Sequence, residues 1–254
     1  MIRIWYHDDL DGFASAYAAW KMYGDAAEYT AVQYGQDHPA YFDGDEIYIL
    51  DFSYTKEILT EIKAVVKKLV VIDHHKTAKE ALSELPYCIF NMDRSGCALS
   101  WQYFHASPPP EILAAVEDYD LWKFNNPMTK AVTLAMNSYP KDFAVWDEFE
   151  YDTLYGIGYH LQRYQATLIN QIVKSATIKF MYEHEVIYIQ SPIFPSQLGH
   201  VLLELHPHHD IVVIDMPKTI NLRSRGRGPD VSSIAVNHGG GGHKHAAGYP
   251  KKNT

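Results

Sequence analysis

Three apolar runs near the start of the chain each end in residues able to bind a cation. Ile2-Arg3-Ile4-Trp5-Tyr6 leads into His7-Asp8-Asp9-Leu10-Asp11-Gly12, Ile47-Tyr48-Ile49-Leu50 into Asp51, and Leu69-Val70-Val71-Ile72 into Asp73-His74-His75. Short runs rich in β-branched and aromatic residues read as strands, and the carboxyl ends of strands in an open parallel sheet converge on one crevice. Carboxylates crowded there repel one another and raise their own pKa values unless cations neutralise them. Mixed carboxylate and imidazole donors suit Mn²⁺ or a similar divalent ion, and two such ions roughly 3.5 to 4 Å apart are a recurrent device of phosphoryl chemistry. A single Asp after a strand is ordinarily a cap or turn residue. Three such strand ends by residue 75 are not independent accidents, and the adjacent imidazoles of His74 and His75 would need polar partners after a buried strand.

The elements that must hold these residues alternate between strand and helix. Helix patterns run from Gly12 to Tyr23 and from Lys56 to Lys68, the second with apolar residues at Ile58, Leu59, Ile62, Val65 and Val66; strands are read at Tyr29 to Tyr34, Glu46 to Leu50 and Leu69 to Ile72. Helices follow at Gly96 to Phe104 and, after Pro108-Pro109-Pro110, at Glu111 to Glu117. Thr129 to Met181 shows no strand pattern and reads as helical, with a long helix from about Tyr155. A second α/β pattern has strands at Val186 to Gln190, Ile211 to Asp215 and Ile220 to Arg223, with a helix from Ser196 to Leu205. The expected class is α/β: a parallel-sheet domain over residues 1–125, a helical connection over 126–184 and a smaller α/β domain over 185–254.

Composition narrows the function classes. Of 254 residues 47% are apolar and 21% charged, enough to bury a core without staples. The net charge is -9, yet from Glu185 onward seven Lys/Arg face five acids, so that segment is +2 and the remainder -11. Polyanions bind basic stripes, which argues against long duplex DNA as a partner. No apolar stretch approaches the roughly 18 residues of a spanning helix, and no signal-peptide order of regions is seen, so a cytoplasmic protein with no membrane partner is expected. Cys88 and Cys97 read as reduced core thiols.

With these residues in place, the sequence resembles the DHH phosphoesterase family, whose name is the triplet Asp73-His74-His75. The resemblance covers four ordered motifs: His7 to Gly12, Asp51, Asp73-His74-His75, and Glu117-Asp118-Tyr119-Asp120-Leu121-Trp122. It implies that His7, Asp9 and Asp51 hold one Mn²⁺, that Asp11, Asp51, His74 and Asp118 hold a second, and that Asp51 bridges them. Mg²⁺ or Fe²⁺ are the substitutes. Asp73 would orient a ligand and His75 would face the scissile phosphate, with Asp51 and His75 as the catalytic pair. Asp118 and Asp120 are both candidates for the last acid; Asp118 is favoured because Trp122 and Phe124 then follow at the family's usual offsets. Asp8 reads as a neighbouring exposed acid.

The second half resembles the DHH-associated C-terminal domain. It carries Asn221-Leu222-Arg223-Ser224, Asp230 to Ala235, Gly239-Gly240-Gly241-Gly242-His243 and Ala246-Ala247-Gly248-Tyr249. The resemblance implies a phosphate clamp built from Arg223, Ser224, Gly240, Gly241, Gly242 and His243, with the glycines in a loop. Arg225 and Arg227 read as a mobile turn, and His206-Pro207-His208-His209 as a solvated turn rather than a further metal site. The implied activity is hydrolysis of diribonucleotides and very short oligonucleotides, pGpG among them, to 5′-mononucleotides. A cyclic-dinucleotide phosphodiesterase, a 3′-phosphoadenosine 5′-phosphate phosphatase and a RecJ-like exonuclease are the related readings. A nucleotide sensor without turnover is the reading from another class. Homodimeric assembly is left open.

Overall fold

The expected N-terminal strands form, and their side chains alternate between two faces of a sheet. The computed structural model describes residues 1–251, so the last three residues of the segment read as a C-terminal domain lie outside the described residues. The chain divides into two compact units, the first being Met1–Arg163. Its elements are β1 (Ile2–His7), α1 (Leu10–Tyr23), β2 (Ala27–Val32), β3 (Glu46–Leu50), α2 (Lys56–Val65), β4 (Lys68–Asp73), α3 (Lys76–Leu82) and β5 (Cys88–Phe90). The helices α4 (Gly96–Phe104), α5 (Glu111–Asp120), α6 (Thr129–Met136), α7 (Phe143–Asp147) and α8 (Tyr151–Ile172) follow, and α8 runs across the division between units.

The five strands are parallel, in the order β2-β1-β3-β4-β5. The chain therefore winds outward from β1 to β2, then returns to place β3 on the other side of β1. That reversal is the switch point at which open α/β sheets bind ligands. Burial follows the period of two. Ile4, Tyr6, Tyr48, Leu50, Val70 and Ile72 pack under α1 and α4 to α6 against Phe13, Leu99, Leu113 and Val132. Trp5, Ile47, Ile49, Leu69 and Val71 face the other way, onto Leu59 and Ile62 of α2 and Leu82 of α3. A sheet covered on both faces explains why these strands read as continuous apolar runs.

The second unit begins at Tyr164. It contains β6 (Thr177–Met181), β7 (His184–Gln190), α9 (Pro195–Leu205), β8 (Ile211–Asp215), β9 (Thr219–Ser224), α10 (Val231–Asn237), β10 (Gly241–His243) and β11 (Ala246–Pro250). Its sheet has the order β10-β11-β9-β8-β7-β6, with only β7 and β8 parallel. The stretch read as free of strands thus contains β6. It forms a hairpin with β7 through Tyr182 and Glu183, both at positive φ (53° and 64°). A two-residue turn of that kind ordinarily announces itself with Asn or Gly, and this one has neither. The glycine run is likewise not a loop: Gly241–His243 is a strand paired with Ala246–Pro250. Glycine is required there by packing, since a Cβ on Gly242 would meet Ala247 Cα at 2.8 Å. Among the described residues, no helix is long and apolar enough to cross a membrane.

Candidate functional site

Each candidate ligand of the first unit is placed by a strand end or a helix start. His7 closes β1, and Asp9 caps α1, its Oδ1 accepting from Gly12 N at 2.8 Å. Gly12 admits no side chain, because a Cβ would run into the His7 carbonyl. Asp51 directly follows β3 in the left-handed region, φ 56°, with its N–H donating to Ile72 O at 2.8 Å. Non-glycine residues in that region are uncommon and concentrate at functional sites. Asp73 ends β4 and is fully buried. Its Oδ1 accepts from the backbone N–H of His74 (2.7 Å) and His75 (3.0 Å) and lies 2.7 Å from His75 Nδ1, while Oδ2 accepts from Ser53 Oγ at 2.6 Å. Asp73 therefore shapes the turn that aims both imidazoles.

The acids and imidazoles fall into two groups that share Asp51. In one, His7 Nδ1 lies 2.9 Å from Asp9 Oδ2 and 3.8 Å from Asp51 Oδ2. In the other, His74 Nε2 lies 3.2 Å from Asp51 Oδ1, 3.8 Å from Asp11 Oδ2 and 3.5 Å from Asp120 Oδ2. Asp11 is 2% exposed and accepts from Gly96 N at 2.6 Å and Cys97 N at 3.1 Å, the first two amides of α4. The open N–H groups and positive end of that helix support its negative charge. Asp8 stands outside, paired with Lys141 at 2.5 Å.

Of the two candidates for the fourth acid, Asp120 is the one placed in this group, and Asp118, the favoured one, is not. Residues two apart on a helix point about 200° apart around the axis, so only one of the pair can face the crevice. Asp118 faces the other way and braces the turn after α5, accepting from Asn125 N (2.8 Å), Asn126 N (3.2 Å) and Thr129 Oγ1 (2.5 Å). Trp122 and Phe124, whose offsets favoured Asp118, lie in that braced turn at φ 55° and 50° and contact each other.

The electrostatics are those of a site built for cations. Burial alone would lower the His7 pKa, but the charges of Asp9 and Asp51 outweigh it and push it up to about 11. His74 is raised in the same way, by Asp51 and Asp120 against burial. Burial, and then the neighbouring Asp51 charge, raise Asp11 to about 7, with His74 opposing. Asp120 is raised well above the carboxylate range by the protein packed around it and by Asp11. Asp9 and Asp73 move down despite burial, held by His7 and His75 respectively. Asp9 and Asp120 keep 47% and 30% of their side-chain surface open, the route by which a ligand would enter. His7 Nδ1 and Asp51 Oδ1 are buried and make no well-aligned hydrogen bond among the described residues, although Asp9 and His74 lie close by. Buried polar atoms left without good hydrogen bonds are costly unless something coordinates them, and carboxylate with imidazole is a donor set that divalent ions accept. The residues present fit a pair of metal ions sharing Asp51.

The second unit sorts its candidates by strand geometry. Register pairs Arg223 of β9 with Ala246 of β11, and Ala246 with His243 of β10. Arg223 and His243 thus lie in one cross-strand row on one face, roughly 10 Å apart with a small residue between them. The guanidinium leans on α9, donating to Ser196 Oγ and Leu222 O at 2.9 Å, in space that exists because residue 199 is glycine. Ser224 is turned away from that row. As the next residue along the strand it faces the other side, 7% exposed, donating to Pro229 O at 2.8 Å and lying 2.9 Å from His245 Nδ1. Arg225 is no mobile turn, since it donates to the carbonyls of Leu203, His206 and His209.

Four contributors had no clear mark in the sequence. Ser53 holds Asp73, Gly96 and Cys97 hold Asp11, and Tyr34 stands edge-on to His7 and His75. Ser95 before Gly96 signals a helix cap, which it is, but nothing local links it to Asp11.

Residues 1–136 match the DHH family, N-terminal domain. Over 277 residues and 94% of its length the chain is 30% identical to the uncharacterized protein R106 of Acanthamoeba polyphaga mimivirus, of which it spans 64%. It is 25% identical over 293 residues to oligoribonuclease NrnB of Bacillus subtilis, covering 98% of this chain and 72% of that one. In fold it is similar to a pGpG-specific phosphodiesterase, PggH, from Vibrio cholerae, with TM-score 0.53, 16% identity and coverage of 98% and 93%. A similar likeness holds to RecJ of Thermus thermophilus in complex with Mn²⁺, with TM-score 0.52 and 15% identity over 99% of this chain and 49% of that one. The family match covers more than half of the chain and includes each of the strand ends that gather the two groups: this protein belongs to the DHH family of phosphoesterases.

Proposed function

We propose that this protein is a two-metal phosphodiesterase that hydrolyses diribonucleotides and very short oligonucleotides, linear pGpG among them, to 5′-mononucleotides. The observation that carries this reading is the position of Asp51, whose two oxygens each face a separate imidazole-carboxylate group. The similarity to an oligoribonuclease along nearly the whole chain supports the choice of diester. When bound, two Mn²⁺ ions, or Mg²⁺ or Fe²⁺ in their place, would lower the pKa of a water and offset the charge that develops on phosphorus.

The chain's own residues do the rest. His7, Asp9 and Asp51 would hold one ion, and Asp11, Asp51, His74 and Asp120 the other. His75, its Nδ1 held by Asp73, would offer its Nε2 to the scissile phosphate. Arg223 and His243, in one row of the second sheet and beside the close-packed Gly240 to Gly242 hairpin, would take a terminal phosphate. A net charge of -9 disfavours a long polyanionic strand, so rate should fall with substrate length. The test is a Mn²⁺ assay comparing two-nucleotide, five-nucleotide, twenty-nucleotide and cyclic substrates. Highest kcat/KM on the dinucleotide is expected; equal values on the shortest and longest would favour an exonuclease, and preference for the ring a cyclic-dinucleotide phosphodiesterase.

A further inference from the structure

Tyr34 follows β2 at the carboxyl end of the sheet and belongs to none of the metal groups described above. Its ring stands at 67° to His7 with centroids 5.5 Å apart, and at 80° to His75 with centroids 6.3 Å apart. Phe52, 1% exposed, backs it at 4.5 Å, so the ring is fixed in place by packing. The residue is 36% exposed. His7 groups with Asp9 and Asp51, and His75 with Asp51 and Asp73, so contact with both imidazoles puts the ring beside that crevice. A phenol keeps its proton at neutral pH and can donate. Beside His75 it would add a donor, since the carboxylates of the site only accept and an imidazole that binds metal gives up one nitrogen.

We infer that Tyr34 is a further catalytic residue, donating a hydrogen bond from Oη to a non-bridging oxygen of the scissile phosphate. The inference rests on the phosphodiesterase reading above. A hydrogen bond to a charged group that strengthens as negative charge builds on the phosphate acts on kcat more than on KM. The Phe variant keeps the ring, its packing on Phe52 and its edge contacts to both imidazoles, and so removes the hydroxyl alone.

The experiment compares the full-length wild type with Tyr34→Phe at saturating Mn²⁺. Substrates are a 5′-phosphorylated diribonucleotide and bis(4-nitrophenyl) phosphate, a diester without nucleosides, with Mn²⁺ affinity measured by titration calorimetry. The expected result is a fall in kcat of about 10- to 100-fold on both diesters, with KM within about twofold and Mn²⁺ affinity unchanged. Wild-type kcat in the variant would overturn the inference. So would a loss of Mn²⁺ affinity that accounts for the loss of rate, which would make Tyr34 a support for His7. A wild type that cleaves only the model diester removes the dinucleotide reading while Tyr34 is still judged on that diester. One inert toward both overturns the two together.

Discussion

Gly96 lies directly against the Asp51 carboxylate: a Cβ at residue 96 would meet Asp51 Cβ at 2.5 Å and Oδ1 at 2.6 Å. The same residue donates its N–H to Asp11 Oδ2 at 2.6 Å. One glycine at the start of α4 thus fixes the carboxylate common to both groups and the acid beside it. Gly96→Ala should force Asp51 aside at a cost of about 1 to 3 kcal/mol in stability, with most of the activity lost. Thermal melts with Mn²⁺ titration check this, and near-wild-type turnover would mean that Asp51 can move without harm.

Asp118 and Asp120 should fail in different ways. Asp120→Asn removes a charge that faces His74 and should weaken metal binding and lower rate at least tenfold with little change in melting temperature. Asp118→Asn leaves three donors poorly satisfied and should destabilise by about 1 to 3 kcal/mol while keeping metal stoichiometry. Metal content by elemental analysis, beside calorimetric melts, separates the two; loss of metal in the Asp118 variant would reverse the assignment.

Proton release should accompany metal binding. In the metal-free chain Asp11 titrates near 7 and His7 near 11, so at neutral pH the site holds protons that Mn²⁺ must displace. For stability, Asp11 raised above its unfolded value favours folding less as pH climbs from about 4 to 7, where the unfolded carboxyl has ionised and the folded one has not. His7, also raised, contributes fully below about 6.5 and loses that contribution as pH rises toward 11. Both act in one direction. The chelated protein should lose melting temperature steadily from pH 5 to 9, and saturating Mn²⁺ should flatten or reverse the trend. Calorimetry in buffers of different ionisation heat counts the protons; zero released at pH 7 would contradict it.

Arg223→Ala should raise KM for a 5′-phosphorylated dinucleotide about ten- to a hundredfold and leave the unphosphorylated one nearly unchanged. His243→Ala should share that bias if the two hold one anion from their common row. Arg225→Ala should instead lower the melting temperature without changing this ratio, because its donors are spent on three carbonyls. Equal losses on both substrates after Arg223→Ala would remove the clamp.

The sequence alone determined which chemistry is present and roughly where. Apolar runs ending in His7, Asp51 and Asp73 dictate buried parallel strands whose carboxyl ends must converge, because strand period and crossover geometry are local properties. The triplet Asp73-His74-His75 carried the family, and the ligands drawn from strand ends come together in space. What tertiary structure decided depends on phase and distance. Asp118 and Asp120 sit in one helical turn, and only the packing of α5 determines which faces inward. The meeting of Gly96 with Asp11 and Asp51 joins residues 85 and 45 positions apart, beyond any local pattern. The glycine run reads as a loop because glycine permits one, yet its neighbours in β11 leave room for nothing larger in a strand. Ser224 looked like a partner of Arg223 by adjacency, and the pleat, which turns successive side chains to opposite faces, separated them.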